Sequence, residues 1–112
     1  MDRRDQKKTR KEAEPTPDML AKVLAGSMRR RILRLMVLER PGAPLSPSQV
    51  AAALGAPMGT VAYHFRVLFQ YKTLHLVEEK HVRGAVAHFY LPTDAVCSSG
   101  WVRTLLKETD GT

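Results

Sequence analysis

Four histidines, one cysteine and a run of arginines are the side chains in this 112-residue chain with the most chemistry to offer. His75 and His88 fall in two stretches of strand-like alternation. Their imidazoles can come close, the register being open by a residue, but with no thiol or carboxylate beside them they make only a weak metal site. His64 flanks an apolar helical stripe, where a packed, hydrogen-bonded imidazole is the plain expectation against a ligand role. Cys97 has no basic residue within three positions to lower its pKa, and reads as an inert thiol. No Gly-rich phosphate loop, Ser/His/Asp set or pair of carboxylates can be assembled. Arg29-Arg30-Arg31 offers a phosphate clamp, although such a run ordinarily forms a solvated face. The expectation is a non-enzyme with no cofactor and no bound metal.

Charge says more. Lys and Arg number 18 against 11 Asp and Glu, a formal +7, which points to a polyanionic partner but not to a fold. Residues 1–18 hold six basic and five acidic side chains and nearly cancel; the excess sits in the rest of the chain. No Asp or Glu occurs between Glu39 and Glu78, and a surface meeting phosphates loses affinity for every carboxylate it presents. The wing-like stretch 74–91 is neutral, so any role for it rests on where its arginine sits. A single cysteine forbids an internal disulfide, as in a reducing compartment such as the cytoplasm. The first residues lack the apolar stretch of a secretion signal, and no apolar run reaches the ~18–20 residues needed to span a bilayer. The expected location is the cytoplasm.

These side chains must be carried by elements. Residues 1–16 read as a disordered charged tail, with nothing to bury. Thr16-Pro17-Asp18 starts a helix by hydroxyl cap, proline and acid, with Met19, Leu20, Val23 and Leu24 as its apolar face and Gly26 as its close. Ser27 caps a second helix, striped by Met28, Ile32, Leu35 and Met36 and ended by Pro41-Gly42. Ser46-Pro47-Ser48-Gln49 is a capping box with proline at the first helical position, and Gly55 closes that third helix. Pro57 opens a fourth, over about 57–70, with Val61, Phe65 and Leu68 inward. A short helix, a tight glycine turn and a second amphipathic helix make a helix-turn-helix. Leu74–Glu79 and Ala85–Leu91 then form a hairpin around Lys80–Gly84. About Ser99 to Lys107 offers a last amphipathic helix with Trp101, Val102, Leu105 and Leu106. The fold class is mainly α with a small β-hairpin (α+β), a winged helix-turn-helix over 17–93, then a short helix and frayed end over 94–112.

In Met28–Leu33, Leu45–Gly55, Thr60–Leu68 and the wing Arg83-Gly84-Ala85 leading to Phe89-Tyr90, residues 19–93 resemble the arsenic-repressor-like (ArsR-type) winged-helix transcriptional regulators. The resemblance implies a dimeric, sequence-specific DNA-binding protein, usually a repressor, with dimer contacts from the first and last helices, near 17–25 and 94–107. It departs from the metal-sensing members of that family. The helix Pro47–Leu54, which carries their thiol motif, has no thiol, imidazole or carboxylate, so sensing by that route is excluded. Lys72 and Thr73 also replace a customary glycine after the fourth helix, predicting a longer or mildly strained turn.

A recognition helix lies in the major groove of double-stranded DNA with residues near its N-terminal end at base edges. The inward set leaves Gly59, Thr60, Ala62, Tyr63, Arg66 and Gln70 facing out. The expected DNA contacts are Met58, Gly59, Thr60, Ala62, Tyr63 and Arg66, with Ser46 and Ser48 at the preceding helix start. Arg83 and Lys80 on the wing are expected at the adjacent minor groove or backbone. Leu20, Val23, Leu24, Trp101, Val102, Leu105 and Leu106 are the expected homodimer interface, set against the plainer reading that they cover the domain's own flank. The rival function is a protein-docking winged helix, with Tyr63, Met58 and Phe69 as its contact patch and Arg83 merely solubilising.

Overall fold

The computed structural model describes residues 14–109. Its elements are α1 (Pro17–Leu24), α2 (Ser27–Arg34) running on into a wide π turn over Leu35–Glu39, α3 (Pro47–Leu54), α4 (Met58–Gln70), β1 (Leu74–Val82), β2 (Ala85–Pro92), α5 (Asp94–Ser98) and α6 (Gly100–Glu108). The α3–α4 pair followed by a two-stranded antiparallel hairpin makes this a winged helix of the α+β class. Of the expected tail, residues 1–13 lie outside the described residues. Pro15 is buried and Thr16 caps α1, so the ordered domain starts before residue 17.

Both proline-led starts form as their chemistry dictates. The Thr16 hydroxyl accepts from the Met19 amide. The Ser46 hydroxyl accepts from the Gln49 amide at 3.2 Å, and the Gln49 side chain accepts from the Ser46 amide at 2.9 Å. Two orphan donors of α3 are thereby satisfied. Ser46→Ala removes the hydroxyl half of the box and is expected to cost about 1 kcal/mol, a fall of about 4–8 °C in the thermal midpoint. Gly55 closes α3 in the left-handed region, at φ 64°.

The junction of α1 and α2 differs from expectation. Ser27 is the first residue inside α2 and not its cap. Gly26 has an ordinary φ of −89° and does not close α1; Ala25 does. The carbonyls at that helix end also accept from the arginine run. Arg29 donates from Nε to the Val23 carbonyl (2.9 Å) and from Nη2 to that of Lys22 (3.3 Å), while Arg30 donates to Leu24 (2.6 Å). Arg31 donates to the Leu54 carbonyl at the end of α3. The run thus binds helix C-termini, where cations are also favoured by the helix dipole.

The core is drawn from every helix: Val23, Ile32, Leu33, Met36, Val50, Val61, Leu68, Val96, Val102 and Leu106 are fully buried, as is Leu74 at the start of β1. This corrects the expected dimer surface. Leu20, Val23, Leu24, Val102 and Leu106 lie inside the protomer, because a domain of this size draws its terminal helices in to complete its own core. Leu105 is partly buried against that core. Trp101 remains 53% exposed.

After α4 the chain turns through Lys72 at φ 62°, the left-handed geometry that favours glycine. Buried Thr73 closes the helix end: its amide and its hydroxyl both donate to the Leu68 carbonyl, at 2.9 and 2.8 Å. The hairpin is longer than expected. Its strands include Lys80–Val82, and the turn is only Arg83-Gly84, both at positive φ (52° and 80°), the primed two-residue turn that matches strand twist. Val77 bulges out of register between Leu76 and Glu78. Leu45 and Tyr90 exchange backbone hydrogen bonds at 3.0 and 2.9 Å, which ties the wing to the start of α3.

Candidate nucleic-acid interface

Burial of Val61, Phe65 and Leu68 fixes the rotation of α4. Met58, Gly59, Thr60, Tyr63, Arg66, Phe69 and Gln70 are exposed, and Ala62 is half-buried. All six expected contacts on this helix therefore lie off its buried stripe, on two flanks. Met58, Ala62, Arg66 and Phe69 line one wall of a groove of about 370 Å³, whose other wall is Val86, His88 and Tyr90 of β2. The floor is closed by Ser46, Pro47 and Ser48 at the start of α3. The two walls are held at a set spacing by Tyr90. Its ring packs edge-on against Phe65 (5.4 Å) and Phe69 (5.9 Å), and its backbone is paired to Leu45. Burial, and then the nearby Glu79 carboxylate, push the Tyr90 phenol above its ordinary range.

Ser48 is exposed at the first turn of α3 and open to a ligand. Ser46 is not: it is 6% exposed and its oxygen is engaged in the cap. Its expected DNA contact is corrected accordingly. A capping hydroxyl and a phosphate-binding one look alike in sequence.

On the wing, Arg83 stands at the tip, exposed. Lys80 is held 3.6 Å from Glu78 and lies 5.3 Å over the Phe89 ring. Successive strand residues point to opposite faces, and His88 lines the groove, so Lys80 and Phe89 occupy the wing's other face. Glu79 sits 3.2 Å from His88. His75 pairs with Leu91 and His88 with Glu79, so the two imidazoles do not meet. No group of three or more His, Cys, Asp or Glu side chains that could hold a metal occurs among the described residues. Cys97 is part-buried; burial first, then Asp94, raise its thiol pKa against the opposing Arg103, which disfavours the reactive thiolate.

The other flank of α4 carries Tyr63, 55% exposed, with its ring 5.1 Å from that of His64 in an edge-on arrangement. His64 Nδ1 lies 3.3 Å from Arg29 Nη1. A recess of about 330 Å³ beside them is lined by Lys22, Arg29, Tyr63, Gln70 and Tyr71 among others. Burial and the Arg29 charge both push His64 below its ordinary 6.5. The imidazole is packed and hydrogen-bonded, as its position on the stripe predicts.

Sequence reasoning missed the wing wall formed by Val86, His88 and Tyr90 and the part played by Arg29. Residue periodicity places side chains around one element, whereas both features join elements distant in sequence. Residues 24–70, from the last residue of α1 to the end of α4, match a family model described as a helix-turn-helix domain. No curated protein matches the chain.

Proposed function

We propose that this winged helix binds double-stranded DNA sequence-specifically as a transcriptional regulator of the arsenic-repressor-like kind, a repressor acting as a cytoplasmic homodimer. The observation that carries the reading is a groove framed by the start of α3, the outer face of α4 and the wing, within a surface whose helix-turn-helix part has no acidic residue from Arg40 to Val77. A duplex backbone seated there meets the positive end of α3 at Ser48. The α4 face then enters the major groove. Met58, Thr60 and Ala62 present apolar groups suited to thymine methyls, Gly59 admits close backbone approach, Tyr63 donates, and Arg66 reads guanine or holds a phosphate. Arg83 reaches the neighbouring minor groove or backbone, with Lys80 a lesser contact from the wing's other face. Trp101, with the exposed edge of Leu105, is what remains for a partner copy, and two-fold DNA half-sites suit such a pairing. Among the described residues no helix is long and apolar enough to cross a membrane.

Selection of preferred duplexes from a random pool tests the reading, and a two-fold motif is the expected product. Arg66→Ala and Arg83→Ala are each expected to weaken the selected duplex by about 1–3 kcal/mol, roughly 5- to 150-fold, with the thermal midpoint unchanged. Unchanged affinity in both variants refutes the assigned surface. A second reading is favoured by one feature: Met58, Phe69 and Val86 are 49%, 49% and 45% exposed around the groove, as in a protein-docking site. Failure to bind any duplex even at low salt, together with a tight protein partner, would establish it instead.

A further inference from the structure

Arg29 spends its whole guanidinium on a junction. Nε and Nη2 hold the carbonyls of Val23 and Lys22 at the end of α1, and Nη1 faces His64 Nδ1 in the middle of α4 at 3.3 Å. Gly26 makes room for it. A Cβ at that position would stand 2.6 Å from Arg29 Cζ and 2.7 Å from Nη2. Because Gly26 has an ordinary φ, the arginine's path, and not the backbone, is what favours glycine there. His64 in turn packs edge-on against Tyr63, which stands on the proposed DNA face.

We propose that Arg29 and His64 are positioning residues for the recognition helix. The guanidinium braces a neutral imidazole, which holds Tyr63 in place, and the brace lets go when the imidazole takes up a proton. The proposal rests on the DNA-binding reading above. An arginine is always charged and can only donate, so Nδ1 must be the bare, accepting nitrogen. A proton there removes the acceptor and sets two cations in contact. Arg29 from α2 and Tyr63 on α4 face His64 directly, and the recess beside them adds Lys22 from α1 and Tyr71 just after α4. None of these is a carboxylate that could compensate. The depressed imidazole pKa agrees in direction. The stability it contributes is present above the ordinary value and is lost as pH falls through the lower folded one.

The test is duplex binding by the full chain at constant salt, between about pH 7.5 and pH 5.5. Wild type is compared with His64→Asn, whose amide oxygen can accept from Arg29 but does not titrate. Taking the ratio of the two affinities at each pH cancels whatever the other histidines contribute, since both proteins share them. At the higher pH the ratio of the two sets the baseline, because asparagine keeps the acceptor but lacks the ring that packs on Tyr63. Relative to that baseline the wild type is expected to fall behind progressively as pH drops, by about twofold or more at the lower pH. A flat ratio overturns the proposal, as does a wild-type advantage in acid, which would make His64 a direct phosphate contact. Proton-resolved titration of His64 in free Arg29→Lys and wild type is the second arm. The imidazole pKa is expected to change when the forked donor is replaced, and an unchanged titration overturns the brace. If no duplex binds but that titration responds, the brace stands as a structural contact, the DNA reading fails and the positioning role fails with it.

Discussion

Raising monovalent salt from about 50 to 200 mM is expected to weaken the chain's hold on its selected duplex by about a hundredfold or more. The size follows from counting phosphates. Each one neutralised adds about −0.9 to the slope of log affinity against log salt, so a protomer meeting about three of them loses about 40-fold over that range, and the proposed dimer, meeting about six, loses about 2,000-fold. The cations placed to meet phosphate are few. Arg66 stands on the groove wall, Arg83 at the wing tip, and Lys80 spends part of its charge on Glu78 and Phe89. The amides at the start of α3 add a partial positive charge without releasing into the slope a counterion of their own. Three further arginines do not count, because Arg29, Arg30 and Arg31 are committed to helix carbonyls. The slope therefore separates two accounts of the +7 charge. If the Arg29–Arg31 run clamped DNA, its alanine variants would flatten the slope; as helix caps, they lower the thermal midpoint and leave the slope as it was. A titration of affinity against salt for wild type, Arg83→Ala and Arg30→Ala decides between them. The expected order is a slope reduced by about one in Arg83→Ala and unchanged in Arg30→Ala.

Whatever is set by neighbouring residues was legible in the sequence. The cap at Thr16, the box at Ser46, the left-handed Gly55 and the inward stripe of α4 can all be read from a handful of consecutive side chains. So could the order of helices and wing, and hence the winged helix. What escaped was set by partners far along the chain. A serine before α2 reads as a cap until Arg29 and Arg30 are seen folding back over the end of α1. An apolar terminal helix reads as a dimer face until Val102 and Leu106 are found with Leu33 and Val96 in one core. A basic hairpin tip reads as a loop, although a two-residue turn with both φ positive needs only one glycine if Arg83 tolerates the left-handed region. The groove belongs to the same class, since Tyr90 closes it from β2 by packing on Phe65 and Phe69.

Leu68→Ala is expected to destabilise the domain by about 2–5 kcal/mol, through lost burial and the cavity left behind. With small domains holding only about 5–15 kcal/mol in all, this lowers the thermal midpoint by about 10–25 °C. Leu68 is fully buried, and its carbonyl anchors the turn by accepting from Thr73 twice. The backbone bonds survive the substitution, so the loss comes from packing alone. Arg66, two residues earlier and exposed, is expected to change stability by no more than about 0.5 kcal/mol when truncated. The pair therefore tests the rotation of α4, on which the whole proposed contact surface depends. In Leu68→Ala, duplex affinity corrected for the folded fraction should equal wild type, while in Arg66→Ala affinity falls in a fully folded protein. The reverse pattern, a stable Leu68→Ala with impaired binding, would mean that α4 turns a different face outward. Tyr63, Arg66 and the groove wall would then fall together, because one helix cannot bury Leu68 and expose it.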